Sequence, residues 1–381
     1  MSELKGLQKA KNIVQNKQKK AQELKDQGNS LIGYICCFAP PEIIYAAGAI
    51  PYRITGKPSE NVSEVDAYLE PYGCPYVRNC FGQYLKGRLD FLDGLVIPHS
   101  CDMVQRLYGI WTYYHPLKYN RMINVPHQLY PWSREFYRRE LWFFKESLEV
   151  YMGQNISSEA INDSIILYNR LRKLIRELYK YRGSEYPFLR GSELMETLVA
   201  GEILPPEEFE KLLEEALEEI KKRKMPLDQR ERLLVWGSIQ DHSLLFEIIE
   251  QAGGLVVADD TCLGMRLWNE DILISEDPYQ SLEEYYFYKF QCPRTDRGAD
   301  LNRFEYIRKR AENYNVQGII CYIISFCDPH KLDYPDLRDY MEKHGYPTLL
   351  IDDNYNLQGV GGINTRIQAF MELLQDKSPE I

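Results

Sequence analysis

From Gly33 onward, short apolar runs alternate with segments in which apolar residues return every three or four positions. Runs of the first kind predict buried strands, and spacing of the second kind predicts amphipathic helices. GYICCF reads as a strand, PPEIIYAAG as a helix with proline in its first turn, and AIPYRITG as a second strand, together a βαβ unit. GLVIP and RMINVP extend the series, with CDMVQRLYGIWTYY between them as a helix. From Trp132 to Lys224 helical spacing runs through three segments with no strand between them. Alternation resumes at RLLVWGS and continues through HSLLFEIIEQAGG, LVVADD, a long aromatic helix, GIICYIISF, DYPDLRDYMEKHG, YPTLLID and the closing INTRIQAFMELLQ. The expected architecture is α/β. It comprises a solvated N-terminal helix over residues 1–30, a parallel-sheet domain over 31–131, a helical segment over 132–228 and a second parallel-sheet domain over 229–381.

The chain has 381 residues, 44% of them hydrophobic, enough to bury sizeable cores. Its net charge of -10 lacks the basic face that phosphate contacts require, so neither nucleic acid nor an anionic membrane is an expected partner. A small molecule suits it better. The lysine-rich start has no signal-peptide core and no apolar run reaches spanning length, which leads us to expect a cytoplasmic protein. Nine cysteines in a reducing compartment are not a disulfide framework, and metal binding is the more natural use for them. No phosphate-binding G-x-x-x-x-G-K-[ST] motif occurs, and no G-x-G-x-x-G follows a strand. ATP hydrolysis and dinucleotide binding are therefore not expected of this chain.

The cysteines fall at telling places. Cys36, Cys101 and Cys327 close predicted strands, and Cys262 lies just beyond one. Ligands of open parallel sheets collect outside the carboxyl ends of the strands. Cys74 and Cys292 lie on connections in matching halves, each followed by proline. These six form the candidate metal site, three from each half. Structural zinc sites usually draw on C-x2-4-C pairs, which are absent, so thiolates spread singly over strand ends point to an iron-sulfur cluster. Cys37, Cys80 and Cys321 read as small buried apolar residues. Glu42 is a candidate proton donor or a partner of its helix dipole. His99 and His330, each within three residues of a proposed ligand, are candidates to hydrogen-bond a sulfur or to carry a proton. Asp102 and Asp328 are expected to cap the helices that follow them.

The stretches CCFAPPEIIYAAGAIPYRITG, YGCPYVRNCFGQYLKG, GLVIPHSCD, VVADDTCLGMR and FCDPHKLDYPDLRDYMEKHGYPTLLIDDNYN resemble the 2-hydroxyacyl-CoA dehydratase and benzoyl-CoA reductase family over residues 30–375. The resemblance implies two Rossmann-like domains with a helical segment between them. It also implies a 4Fe-4S cluster on Cys74, Cys101 and Cys327, and a separate ATP-hydrolysing activator, with a 4Fe-4S cluster of its own, that supplies low-potential electrons. The double-cubane cluster branch looks closer still. That branch implies Cys36, Cys262 and Cys292 as further ligands, two sulfide-linked cubanes of 8Fe-9S type, a homodimer, and reduction of small molecules. The alternative within the family is the 4Fe-4S subunit of a heterodimeric 2-hydroxyacyl-CoA dehydratase (a lyase) or benzoyl-CoA reductase. Either implies an oxygen-sensitive enzyme of anaerobic metabolism.

Overall fold

The computed structural model of the chain describes residues 5–227, 230–296, 303–357 and 360–376. The expected boundary at 228/229 and both chain ends lie outside them. The fold is α/β, with two four-stranded parallel sheets. The first contains β1 (Leu31–Tyr34), β2 (Ile50–Arg53), β3 (Gly94–His99) and β4 (Tyr119–Asn124), in the order β2-β1-β3-β4. The second contains β5 (Glu231–Gly237), β6 (Gly254–Asp260), β7 (Gly318–Ile324) and β8 (Thr348–Asp353), in the order β6-β5-β7-β8. The two orders are the same. In each sheet the chain runs outward from its first strand, then reverses across it to the third, opening a crevice at the carboxyl ends of β1/β3 and of β5/β7. Strands such as β1, β6 and β7 are buried along their whole length, so they read in sequence as unbroken apolar runs rather than alternating ones.

Four helices join the sheets: Pro131–Met152, Ser158–Gly183, Gly191–Gly201 and Pro206–Lys221. The sequence spacing marks only three, because Gly191–Gly201 is short and buried nearly throughout, with little polar face to reveal its period. The expected solvated N-terminal helix is two helices, Gly6–Gln15 and Lys17–Asp26. They bury Leu7, Ala10, Ala21 and Leu24, and Glu215 and Glu219 accept bonds from the Gly6 and Leu7 amides at 3.2 and 3.0 Å. Lys17 is drawn inward too. Its Nζ donates to Thr55 Oγ1 at 2.7 Å and to the Gly56 carbonyl at 2.9 Å, and burial lowers its pKa. The long aromatic helix expected after β6 is broken into Met265–Trp268, Pro278–Glu283 and a π-turn at Glu284–Tyr288, with Asp277 capping a fresh start at Pro278. No helix among the described residues is long and apolar enough to cross a membrane.

The halves share two apolar cores, while one face of the second sheet, with Leu234, Trp236 and Ile319, keeps a third to itself. Ile32 and Val96 of the first sheet share one apolar cluster with Leu171, Leu213 and Trp268, while Leu95 and Ile97 share another with Val235 and Ile320. The long helix Ser158–Gly183 locks the halves together through two ion pairs. Its Arg172 Nη2 donates to Glu42 Oε1 in the first half at 2.6 Å, and its Arg182 Nη2 donates to Asp259 Oδ2 at the end of β6 at 2.7 Å. All four side chains are fully or almost fully buried. Removing one member of such a pair leaves an unpaired charge away from water. Arg182→Met is therefore expected to lower stability to urea by about 3–5 kcal/mol. A loss under about 1 kcal/mol, the range of exposed pairs, would show that this helix is not the lock.

Candidate metal centre

One cavity lies between the carboxyl ends of the two sheets, and Cys36, Cys74, Cys101, Cys262, Cys292 and Cys327 all line it. The first-half thiols come from the loop after β1, the β2–β3 connection and the loop after β3; the second-half thiols come from the loop after β6, the β6–β7 connection and the loop after β7. The match between halves is close for two pairs. Cys101 corresponds to Cys327, and Cys74 to Cys292, whereas Cys36 follows the first strand of its sheet and Cys262 the second of its own. Cys37 also lines the cavity. Cys80 and Cys321 are buried elsewhere.

The thiols divide by what surrounds them. Cys74, Cys101 and Cys327 are the N-cap residues of helices Pro75–Leu85, Asp102–Tyr114 and Asp328–Lys343. The expected caps Asp102 and Asp328 are instead the first helical residues, since each cysteine already holds the non-helical backbone angles of the cap position. A helix N-terminus presents unpaired N–H groups and positive potential, which suit a thiolate. Main-chain N–H groups of Tyr76 and Val77 reach Cys74, and those of Met103 and Val104 reach Cys101. Burial nonetheless pushes the Cys74 thiol up to about 11 and the Cys101 thiol up to about 12, and it raises the Cys327 thiol well above its ordinary value. These three need a positive centre among them before they ionise.

Cys36, Cys262 and Cys292 face arginines instead. Arg266 Nη1 lies 3.7 Å from Cys262 Sγ while its Nε and Nη2 bind Asp260, at 3.2 and 2.7 Å. Arg294 donates to the main-chain carbonyls of Ser100, Val125 and Pro126; burial lowers its pKa, and the thiols of Cys292, Cys36 and Cys101 oppose that shift. Arg53 Nη2 donates to the Cys262 carbonyl at 3.4 Å. The Cys36 and Cys292 thiols are lowered, first by the neighbouring Cys37 thiol and then, against burial, by Ser100 and Arg53 for Cys36 and by Arg266 for Cys292. The Cys262 loop is pinned from below by Asp259, whose carboxylate accepts from Met265 N at 2.9 Å, Tyr179 Oη at 3.0 Å and Arg182. Only glycine fits at 264, where a Cβ would sit 1.7 Å from Asp259 Oδ1.

Other candidates fall variously. His330 lines the cavity with Nδ1 3.2 Å from Cys327 Sγ, and burial lowers its pKa well below the ordinary imidazole value. His99 is half-buried at the end of β3 with its ring 6.4 Å from that of His127, and it does not line the cavity. Glu42 does not line it either. Both its carboxylate oxygens accept from Tyr286 Oη, at 3.0 and 2.9 Å, and Oε1 also from Arg172, so its role here is that of a clamp. Sequence reasoning misses the three arginines and Cys37. The available signals are a basic residue closing an apolar strand at Arg53, arginines four and two positions after Cys262 and Cys292, and the adjacent Cys36–Cys37 pair.

Among the described residues no three Cys, His, Asp or Glu side chains close on a single ion. A tetrahedral ion with bonds of about 2.3 Å would need its sulfurs within about 4 Å of one another. Thiols spread round one cavity suit a polynuclear cluster in which each iron takes its own thiolate. The donor set thus fits an iron-sulfur group.

A sequence profile described as 2-hydroxyglutaryl-CoA dehydratase, D-component, matches residues 36–374. The chain is similar to a benzoyl-CoA reductase component of Thauera aromatica, 30% identical over 333 residues that cover 84% of this chain and 85% of the relative. It is also similar to the (R)-phenyllactyl-CoA dehydratase beta subunit of Clostridium sporogenes, 24% identical with 96% of this chain and 97% of the relative covered. The (R)-2-hydroxyglutaryl-CoA dehydratase beta subunit of Acidaminococcus fermentans is likewise 24% identical, with 92% and 94% covered. With a family profile along nearly its whole length and relatives that are components of reductases and dehydratases, the chain belongs to the 2-hydroxyglutaryl-CoA dehydratase D-component family and is an enzyme of it.

Proposed function

We propose that this chain is an iron-sulfur reductase of small molecules, with two four-iron cubanes of the double-cubane (8Fe-9S) type in one cavity. The electrons come from a separate ATP-hydrolysing activator, and the chain works as a cytoplasmic homodimer. What carries the proposal is the convergence of six cysteines from both halves on one cavity, twice the three that the family resemblance assigns to a single cubane. Such a group supplies one-electron chemistry at low potential. The protein's own part is to hold it and set its surroundings. Helix N-termini stabilise one set of thiolates, Arg53, Arg266 and Arg294 offset the charge of the other, and His330 holds the Cys327 sulfur in place. The cavity wall also carries Val77, Met103, Val104, Ile239 and Ile324, an apolar lining that keeps bulk water from the sulfurs and would receive an uncharged or weakly polar acceptor.

A second possibility is favoured by the relatives, which are named as subunits of larger enzymes. In it this chain holds one cubane on Cys74, Cys101 and Cys327 and works beside a sister subunit on a CoA thioester.

Iron content separates these, and a turnover assay tests the electron supply. Anaerobically purified protein is expected to carry about eight irons per chain, with Cys262→Ala and Cys292→Ala each removing about as much iron as Cys101→Ala. About four irons, sensitive only to Cys74, Cys101 and Cys327, would select the second possibility. Reduction of a small unsaturated probe such as an alkyne is expected to require activator and ATP together; equal turnover with ATP omitted would overturn the proposed electron supply.

A further inference from the structure

The cavity holds a seventh thiol, and its placement follows from one backbone angle. Along an extended strand, neighbouring side chains point to opposite faces, so of two adjacent cysteines at a strand's end one is ordinarily turned away. Cys36 breaks the alternation. Its φ is +70°, in the left-handed region that residues with side chains seldom occupy, and such strain persists only where the surroundings impose it. The turn brings Cys36 and Cys37 onto the same wall, with their sulfurs 3.9 Å apart. Cys37 is 2% exposed, and Cys262 and Cys292 line the same cavity. Cys80 contrasts with it, having its sulfur 4.0 Å from the Ile54 carbonyl and no place on the cavity wall.

The 3.9 Å separation is informative. Two sulfurs on one tetrahedral metal with bonds of about 2.3 Å stand about 3.8 Å apart, so a single iron can lie within bonding reach of both Cys36 and Cys37. An iron within a cubane already has three sulfides and accepts one thiolate. Only one of the pair can serve it at a time.

We propose that Cys37 is a second sulfur donor for the same iron that Cys36 serves, so that the arginine-side site has four thiols for three ligand positions. The proposal rests on the two-cubane function above and adds to it an exchangeable ligand. Loss or chemical blocking of one thiol leaves the metal in place on the other.

The test is iron content and electron paramagnetic resonance of anaerobically reconstituted wild type, Cys36→Ala, Cys37→Ala, the double alanine variant and Cys36→Ala/Cys37→Ser. Each single alanine variant is expected to keep the wild-type iron, whereas the double variant loses about half, falling from about eight to about four per chain. The Ala/Ser variant should regain iron with an altered spectrum, because oxygen replaces sulfur at one iron, and that recovery rules out simple misfolding of the double variant. Loss of half the iron in either single variant would overturn the proposal, as would full iron in the double variant. A wild type with about four irons that Cys262→Ala leaves intact would overturn the two-cubane function itself, and this assignment with it.

Discussion

Thiols that are to share a metal group must be brought within a few ångströms of one another, and the six proposed ligands come from positions as far apart as Cys36 and Cys327 in the chain. The fold meets that constraint by turning the carboxyl ends of two parallel sheets toward each other. In each sheet the strand order reverses beside its first strand, and the crevice left there is where the loops carrying the cysteines emerge. Neither half offers a complete set. In the proposed function Cys327 joins Cys74 and Cys101 across the interface, and Cys36 joins Cys262 and Cys292 from the other side, all on one cavity. The helix Ser158–Gly183 therefore matters beyond its own packing, because its ion pairs to Glu42 and Asp259 set how the two halves face each other. Asp259 links that lock directly to the site, since the same carboxylate fixes the loop that presents Cys262.

The two sets of thiols are held by different physics. Three sit at helix N-termini, where aligned peptide dipoles and unpaired N–H groups favour negative charge. The others face guanidinium groups that stay charged at any physiological pH. Arg294 lines the cavity together with Cys292, Cys36 and Cys101, so it lies beside both sets. A mobile lysine would compensate charge as well, but it would be hydrated and loosely placed. The planar guanidinium of Arg294 instead spends its donors on three main-chain carbonyls and is held rigidly over the Phe38 ring at 5.0 Å.

Much of this is legible in the sequence. Strands such as β3 and β7 announce themselves as unbroken apolar runs, and cysteines at their ends mark the site because ligand position in parallel sheets follows from topology. What the sequence hides is tertiary. Glu42 looks free to serve the chemistry until Arg172 and Tyr286, more than a hundred residues away, are seen to occupy it. Cys37 looks like a packed apolar residue because strand alternation turns it away from Cys36, and only the positive φ brings the two together. The aromatic stretch after β6 has helical spacing, but its tyrosines are spent on Arg172 and Glu42, with the π-turn at Glu284–Tyr288 carrying them there.

The central claim is that one cavity holds metal contributed by both halves of the chain, in two places. Anomalous diffraction at the iron edge from anaerobically grown crystals tests it most directly. Two iron groups are predicted, one among Cys74, Cys101 and Cys327 and the other among Cys36, Cys37, Cys262 and Cys292. A single group confined to the first three cysteines, or iron bound away from this cavity, would contradict it.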